Sequence, residues 1–149
     1  MTYFSALDLK FGIAHIPLSD QKLAQFRDNL SELDLIILDE VSLIGADMLY
    51  RIHMRLREIF QCDDLFANKS VLLVGDLLQL KPVKATYIFK KPYNDKFWGL
   101  YQDNNLWESF KPIVLKTVFR QKDASTWVNT LNKLREGIVT EEDEALLRT

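Results

Sequence analysis

Leu35-Ile36-Ile37-Leu38-Asp39-Glu40 is a short apolar run that stops abruptly on two acids. Four aliphatics without polar alternation have the pattern of a strand buried on both faces, as in a helix-covered parallel sheet. Downstream, Met48, Leu49, Ile52, Leu56, Ile59 and Phe60 recur at helical spacing, which predicts an amphipathic helix over residues 45–60. Arg51, Arg55 and Arg57 fall on its other faces and read as a solvated surface. A second apolar run, Val71-Leu72-Leu73-Val74, then ends in Gly75-Asp76. Strand, helix and strand in this order predict a right-handed parallel crossover.

The flanks extend the same alternation. Leu23, Ala24, Phe26 and Leu30 give residues 20–30 a weak amphipathic helix. Pro112-Ile113-Val114-Leu115 reads as a further strand, and residues 125–135 as a helix closed by Gly137. Thr140 followed by Glu141, Glu142 and Asp143 starts another helix, because acids suit the positive end of the helix dipole. The class is α/β, with a mostly parallel sheet.

Composition narrows the function little. The 149 residues suffice for a domain with a sizeable core, and a net charge of −2 does not mark a nucleic-acid binder. Binding of that kind would need a local patch. Cys62 stands alone, which excludes an internal disulfide and fits a reducing intracellular compartment. No apolar run reaches membrane-spanning length, and the N-terminus carries neither a secretory nor an Arg-rich transit signal. His15, His53 and Cys62 lack metal-ligand spacing and read as structural.

Ligands of open α/β sheets bind beyond the C-terminal ends of the strands, where this sequence concentrates its polar residues. Asp39-Glu40 after four aliphatics matches the Walker B pattern of P-loop ATPases. Asp39 would then hold Mg²⁺ through water, since Mg²⁺ prefers hard oxygens and sheds water reluctantly. Glu40, pointing the other way in the strand pleat, would orient the attacking water. The plainer alternative is that both acids merely end a strand. Gly75-Asp76-Leu77-Leu78-Gln79 adds a glycine for close backbone approach and an amide able to bond a γ-phosphate without competing charge. A buried glutamine satisfied by backbone is the alternative here. Phe119-Arg120-Gln121 offers a guanidinium for charge on a transferred phosphoryl group, or a surface ion pair.

Together the three blocks resemble the Pif family of superfamily 1 DNA helicases, including the helicase portions of helitron-type mobile elements. Ile36-Ile37-Leu38-Asp39-Glu40-Val41-Ser42-Leu43-Ile44 is similar to the family's motif II. Gly75-Asp76-Leu77-Leu78-Gln79-Leu80-Lys81-Pro82-Val83 is similar to motif III, and Leu115-Lys116-Thr117-Val118-Phe119-Arg120-Gln121 to motif IV. The resemblance implies an incomplete RecA-like P-loop NTPase sheet over residues 1–111 and the start of a second RecA-like domain over 112–149. It implies ATP and Mg²⁺ as cofactors, with Glu40, Gln79 and Arg120 catalytic and Asp39, Glu40, Gln79 and Arg120 at the nucleotide. Single-stranded DNA and duplex junctions are the implied partners, and 5′-to-3′ unwinding in repair, recombination or telomere maintenance the implied activity. Nucleus or mitochondrion is the implied compartment.

There are departures. Lys81 stands where many members have proline, and Phe4 replaces a histidine in Thr2-Tyr3-Phe4-Ser5, a segment expected beside single-stranded DNA. No G-x-x-x-x-G-K-[ST] loop occurs, so nothing here cradles a triphosphate, and the chain reads as an internal fragment inactive by itself. Lys84, Lys90 and Lys91 lie among aromatics, a composition that grips single strands or else packs its rings on the sheet. Two other readings stand beside the motor. One is a helicase-derived module that binds DNA or a partner without catalysis. The other groups Asp39, Glu40 and Asp76 as a metal-dependent nuclease or phosphatase cluster.

Overall fold

The computed structural model describes residues 6–9, 15–90, 106–117 and 125–148. They divide into two compact units, Met1–Phe110 and Lys111–Thr149. In the first, helix α1 (Asp20–Asn29) begins at Ser19, whose hydroxyl accepts from the Lys22 amide at 3.5 Å. Strand β1 (Leu35–Leu38) follows, then helix α2 (Ala46–Phe60) and strand β2 (Ser70–Leu73). The two strands pair in parallel, Leu35 opposite Ser70 and Leu38 opposite Leu73. Strand, helix and parallel strand therefore occur in the expected order.

One face of this sheet meets α2. Leu38, Leu49, Ile52, Leu56, Ile59 and Phe66 are buried in a common core, with Ile36, Val71 and Leu73 packed against it. Leu35, Ile37 and Leu72 alternate with those inward residues and face outward, Ile37 being 59 % exposed. Burial of β1 on both faces is thus not what the structure has. Period-2 alternation separates the faces, and no described element covers the second one.

Arg51 and Arg55 also depart from expectation, being only 5 % and 3 % exposed. Residues 15–18 lie across their side of α2. Arg55 donates to Glu58 at 2.6 Å and to the Ile16 carbonyl at 2.9 Å, while Glu58 accepts from the Leu18 amide at 2.6 Å. Arg57 instead pairs with Asp63. Helix α2 ends at Gln61 in the left-handed region, and the Arg27 guanidinium of α1 donates to the Ile59 carbonyl at 2.6 Å. His53 accepts from the Phe66 amide at 3.0 Å, a structural role as its isolation suggested.

The second unit holds helices α3 (Ser125–Glu136) and α4 (Glu141–Leu147). Gly137, at φ 74°, closes α3. Thr140 and Asp143 form a capping box at α4, and Asp143 also accepts from Thr130 of α3 at 2.9 Å and from Lys133 at 2.9 Å. The hydroxyl of Thr140, then Lys133, hold the Asp143 carboxyl well below the usual carboxylate range. Residues 112–115 are not a strand: they lack regular structure and Leu115 is 88 % exposed. A strand exists only when its amides and carbonyls pair with a neighbour, and no described strand of this unit offers one. No described helix is long and apolar enough to cross a membrane.

His53 carries a testable consequence. Burial, reinforced by Arg57, pushes it down from 6.5 to about 4. Below pH 6.5 the unfolded chain binds a proton that the fold refuses, so stability falls as pH drops from there towards about 4. His53→Leu should cost about 1–3 kcal/mol by orphaning the Phe66 amide and should shallow this acid slope. Urea midpoints at about pH 7.5 and about pH 5 check it; an unchanged slope would assign the effect elsewhere.

Candidate functional site

The ends of β1 and β2 are joined by two backbone bonds beyond the paired residues. The Val74 amide donates to Leu38 at 2.8 Å, and the Val41 amide donates back to Val74 at 3.0 Å. Gly75 follows at φ 144°, and a Cβ there would lie 2.7 Å from the Val41 nitrogen and 3.1 Å from its side chain. Only a glycine fits this crossing. It sets Asp39-Glu40 and Gly75-Asp76 side by side at the C-terminal edge of the sheet, where such folds bind ligands.

Glu40 is not in the strand pleat. It is left-handed (φ 53°, ψ 47°), its amide bonds the Asp39 carboxylate at 2.8 Å, and a short 3₁₀ turn over Val41–Leu43 follows. A turn, not continued strand alternation, therefore sets the backbone at Glu40. Both acids are exposed.

Gln79 is exposed too, which sets aside the buried, backbone-satisfied alternative. Its amide nitrogen donates to Asp76 at 3.3 Å, and the other oxygen of Asp76 accepts the Leu78 amide at 3.0 Å. Asp76 therefore holds the Gln79 loop in shape, a positioning role that the sequence reading did not assign. Its signal was an acid directly after the glycine and three residues before the amide, the spacing of a side chain that folds its own turn.

Asp39, Glu40 and Gln79 are thus brought to one edge. Arg120, Phe4, Ser5 and Lys91 lie outside the described residues. Lys84 is exposed with φ 52°, and Lys90 sits 5.6 Å over the Tyr87 ring. Tyr87 stacks on Phe89 at 5.2 Å, and Phe89, Trp107, Phe110 and Phe66 continue through T-shaped and tilted ring contacts into the core. These described rings pack on one another, and the aromatics of residues 91–101 lie outside the described residues. Among the described residues no three His, Cys, Asp or Glu side chains are grouped to hold a metal, which disfavours the nuclease cluster. A lone hard carboxylate such as Asp39 suits Mg²⁺ held mainly by water and phosphate oxygens.

A parallel strand pair with acids and a Gly-Asp loop at its carboxyl edge defines an α/β chain of the RecA-like class. The PIF1-like helicase family model matches residues 11–145, and the chain belongs to that family. It is 32 % identical over 124 residues to the ATP-dependent DNA helicase Pif1 of Campylobacter jejuni, covering 81 % of this chain and 25 % of that protein. Against the ATP-dependent DNA helicase RRM3 of Saccharomyces cerevisiae it is 31 % identical over 108 residues, covering 71 % of this chain and 14 % of the relative. Bacteroides Pif1 bound to single-stranded DNA superposes with a TM-score of 0.72 at 26 % identity, over 97 % of this chain and 34 % of that one. The chain therefore spans about a quarter of the C. jejuni relative.

Gly75→Ala tests the crossing. The added methyl and the unfavourable φ should destabilise the first unit by about 1–3 kcal/mol, read as a lower urea midpoint. An unchanged midpoint would mean that the two strand ends do not meet as described.

Proposed function

We propose that this chain supplies the hydrolysis side of the nucleotide site in an ATP-dependent DNA helicase. The observation that carries the reading is the juxtaposition of Asp39-Glu40 with Gln79 at adjacent parallel strand ends, fixed by the Val41–Val74 bond and the bare Gly75. In support, relatives carry the name ATP-dependent DNA helicase, and Bacteroides Pif1 has been solved with ADP-AlF3 and single-stranded DNA. Another Pif1 structure concerns unwinding at forked duplexes.

On this reading Asp39 would hold Mg²⁺ through water, and the ion would supply neutralisation of phosphate charge. Glu40 aligns and deprotonates the attacking water, and Gln79 hydrogen-bonds the γ-phosphate. Arg120 offsets charge on the transferred group. Exchanging Asp76 for phosphate as partner, the Gln79 amide would report nucleotide occupancy through its own loop. Residues 112–149 open the second RecA-like domain, and Phe4, Ser5, Lys84, Lys90 and Lys91 belong to the side facing single-stranded DNA. The intact protein would move 5′-to-3′ and separate strands at duplex junctions during repair, recombination or telomere maintenance, in nucleus or mitochondrion. The residues that cradle the triphosphate are not among these 149.

The test is Glu40→Gln in the intact protein that carries this chain. DNA-stimulated ATP turnover should fall about 10²- to 10⁴-fold while nucleotide binding persists. Unchanged turnover would sink the assignment of Glu40. An intact protein that binds DNA but never turns over ATP would point to a non-catalytic binding module.

A further inference from the structure

Residues 15–18 have no regular structure and are tied to helix α2 chiefly through one carboxylate. Glu58 accepts the Leu18 amide on Oε1 at 2.6 Å. Its Oε2 takes Arg55 at 2.6 Å and Nε2 of His15 at 3.3 Å. Arg55 adds a bond to the Ile16 carbonyl at 2.9 Å. Little apolar burial backs these bonds, since Ile16 and Pro17 are exposed and Leu18 alone of the four packs against the core. Segments held by a few polar bonds open locally at less cost than the core beneath them.

His15 makes this attachment sensitive to protons. A neutral imidazole that donates its Nε2–H to Glu58 keeps a lone pair on Nδ1. That Nδ1 is buried and has no hydrogen-bond partner. A second proton would sit there as a buried N–H without an acceptor, in the field of Arg55 and Arg51. Glu58 favours the charged ring but is outweighed: burial first, then Arg55, holds the His15 pKa below 6.5. The other charged side chains around this recess, Asp8 of residues 6–9 and Lys22 of α1, pair with each other.

We propose that residues 15–18 are an acid-released strap, held closed by Glu58 while His15 is neutral and let go when it is protonated. The open strap takes up a proton more readily than the closed one, so attachment is complete above pH 6.5. It weakens as pH falls from there to the midpoint of the closed imidazole, and no further below. Helix α2 stays in place, because Leu49, Ile52, Leu56 and Ile59 hold it in the core. Release uncovers Arg51 and Arg55, which lie buried beneath the strap. None of these residues is at the strand ends, so the strap is independent of the helicase reading.

The experiment follows amide exchange by NMR in the 149-residue chain from about pH 7.5 to about pH 4, corrected for the intrinsic pH dependence of exchange. Protection of the Leu18 amide should fall about tenfold per pH unit below 6.5 and level off at the His15 midpoint, read in the same samples. The Val74 amide, bonded to Leu38 in the sheet, reports opening of the whole unit and should stay the better protected of the two. His15→Gln keeps a donor for Glu58 but does not titrate. It should level the Leu18 profile while Val74 still declines through His53. Glu58→Gln, which keeps an acceptor for Leu18 but no charge, should cut Leu18 protection about tenfold at neutral pH. A level Leu18 profile in the unaltered chain, or a plateau away from the His15 midpoint, overturns the proposal. So does a slope that survives in folded His15→Gln, or Leu18 protection equal to that of Val74, since the strap would then open only with the whole unit.

Discussion

The amide of Val41 reaches the carbonyl of Val74 across 3.0 Å, just past the last paired residues of the two strands. This bond fixes the chain immediately after Glu40 to the chain immediately before Gly75-Asp76. Were Glu40 extended, β1 would run straight on and carry Val41 away from Val74. Its left-handed conformation, with the Leu43 amide donating back to Glu40 at 2.9 Å, bends the backbone into the 3₁₀ turn and makes the reach possible. Such a conformation costs a non-glycine residue of the order of 1 kcal/mol or more. The buried strand-end bond and the packing of Val41 and Ile44 into the core offset it.

Local pattern revealed α1, β1, α2, β2, α3 and α4, because apolar spacing is a property of the sequence alone. What it missed depended on partners. Residues 112–115 are as apolar as β1, but no described strand pairs with them. Leu35, Ile37 and Leu72 are as aliphatic as Ile36 and Leu38, and nothing in their identity says which face α2 will cover. Arg51 and Arg55 looked solvated because charge on a helix usually is. Their burial comes from residues 15–18, a segment without periodicity, and from Glu58 one turn away.

The candidate site was legible in residue type and less so in geometry. Acids after aliphatics and an amide three residues after Gly-Asp pointed to the C-terminal edge of the sheet, where the structure places Asp39, Glu40 and Gln79. The pleat argument for Glu40 failed because it assumed that the strand continued. Asp76 drew only the metal-cluster alternative, because shaping a loop through its carboxylate, here to Leu78 and Gln79, leaves little mark on sequence pattern.

That loop is also held at its far end. The Ala46 amide, the first of α2, donates to Thr86 at 3.1 Å, and Gly45 forms an antiparallel bridge to Tyr87. A Cβ on Gly45 would stand 2.6 Å from that of Ala85, so this second crossing is as tight as the one at Gly75. Between the two anchors Leu78, Leu80 and Val83 are exposed and contribute little to the core. With Leu77 against the core and Pro82 buried, this segment is tied at both ends and at these two points, and the exposed Gln79 can change its bonding without moving either strand. Rigidity at Val41 and Gly45 and freedom at Gln79 therefore arise from the same two close approaches. Helix α2 connects them, since its N-terminus forms one and its buried face supports the sheet that forms the other.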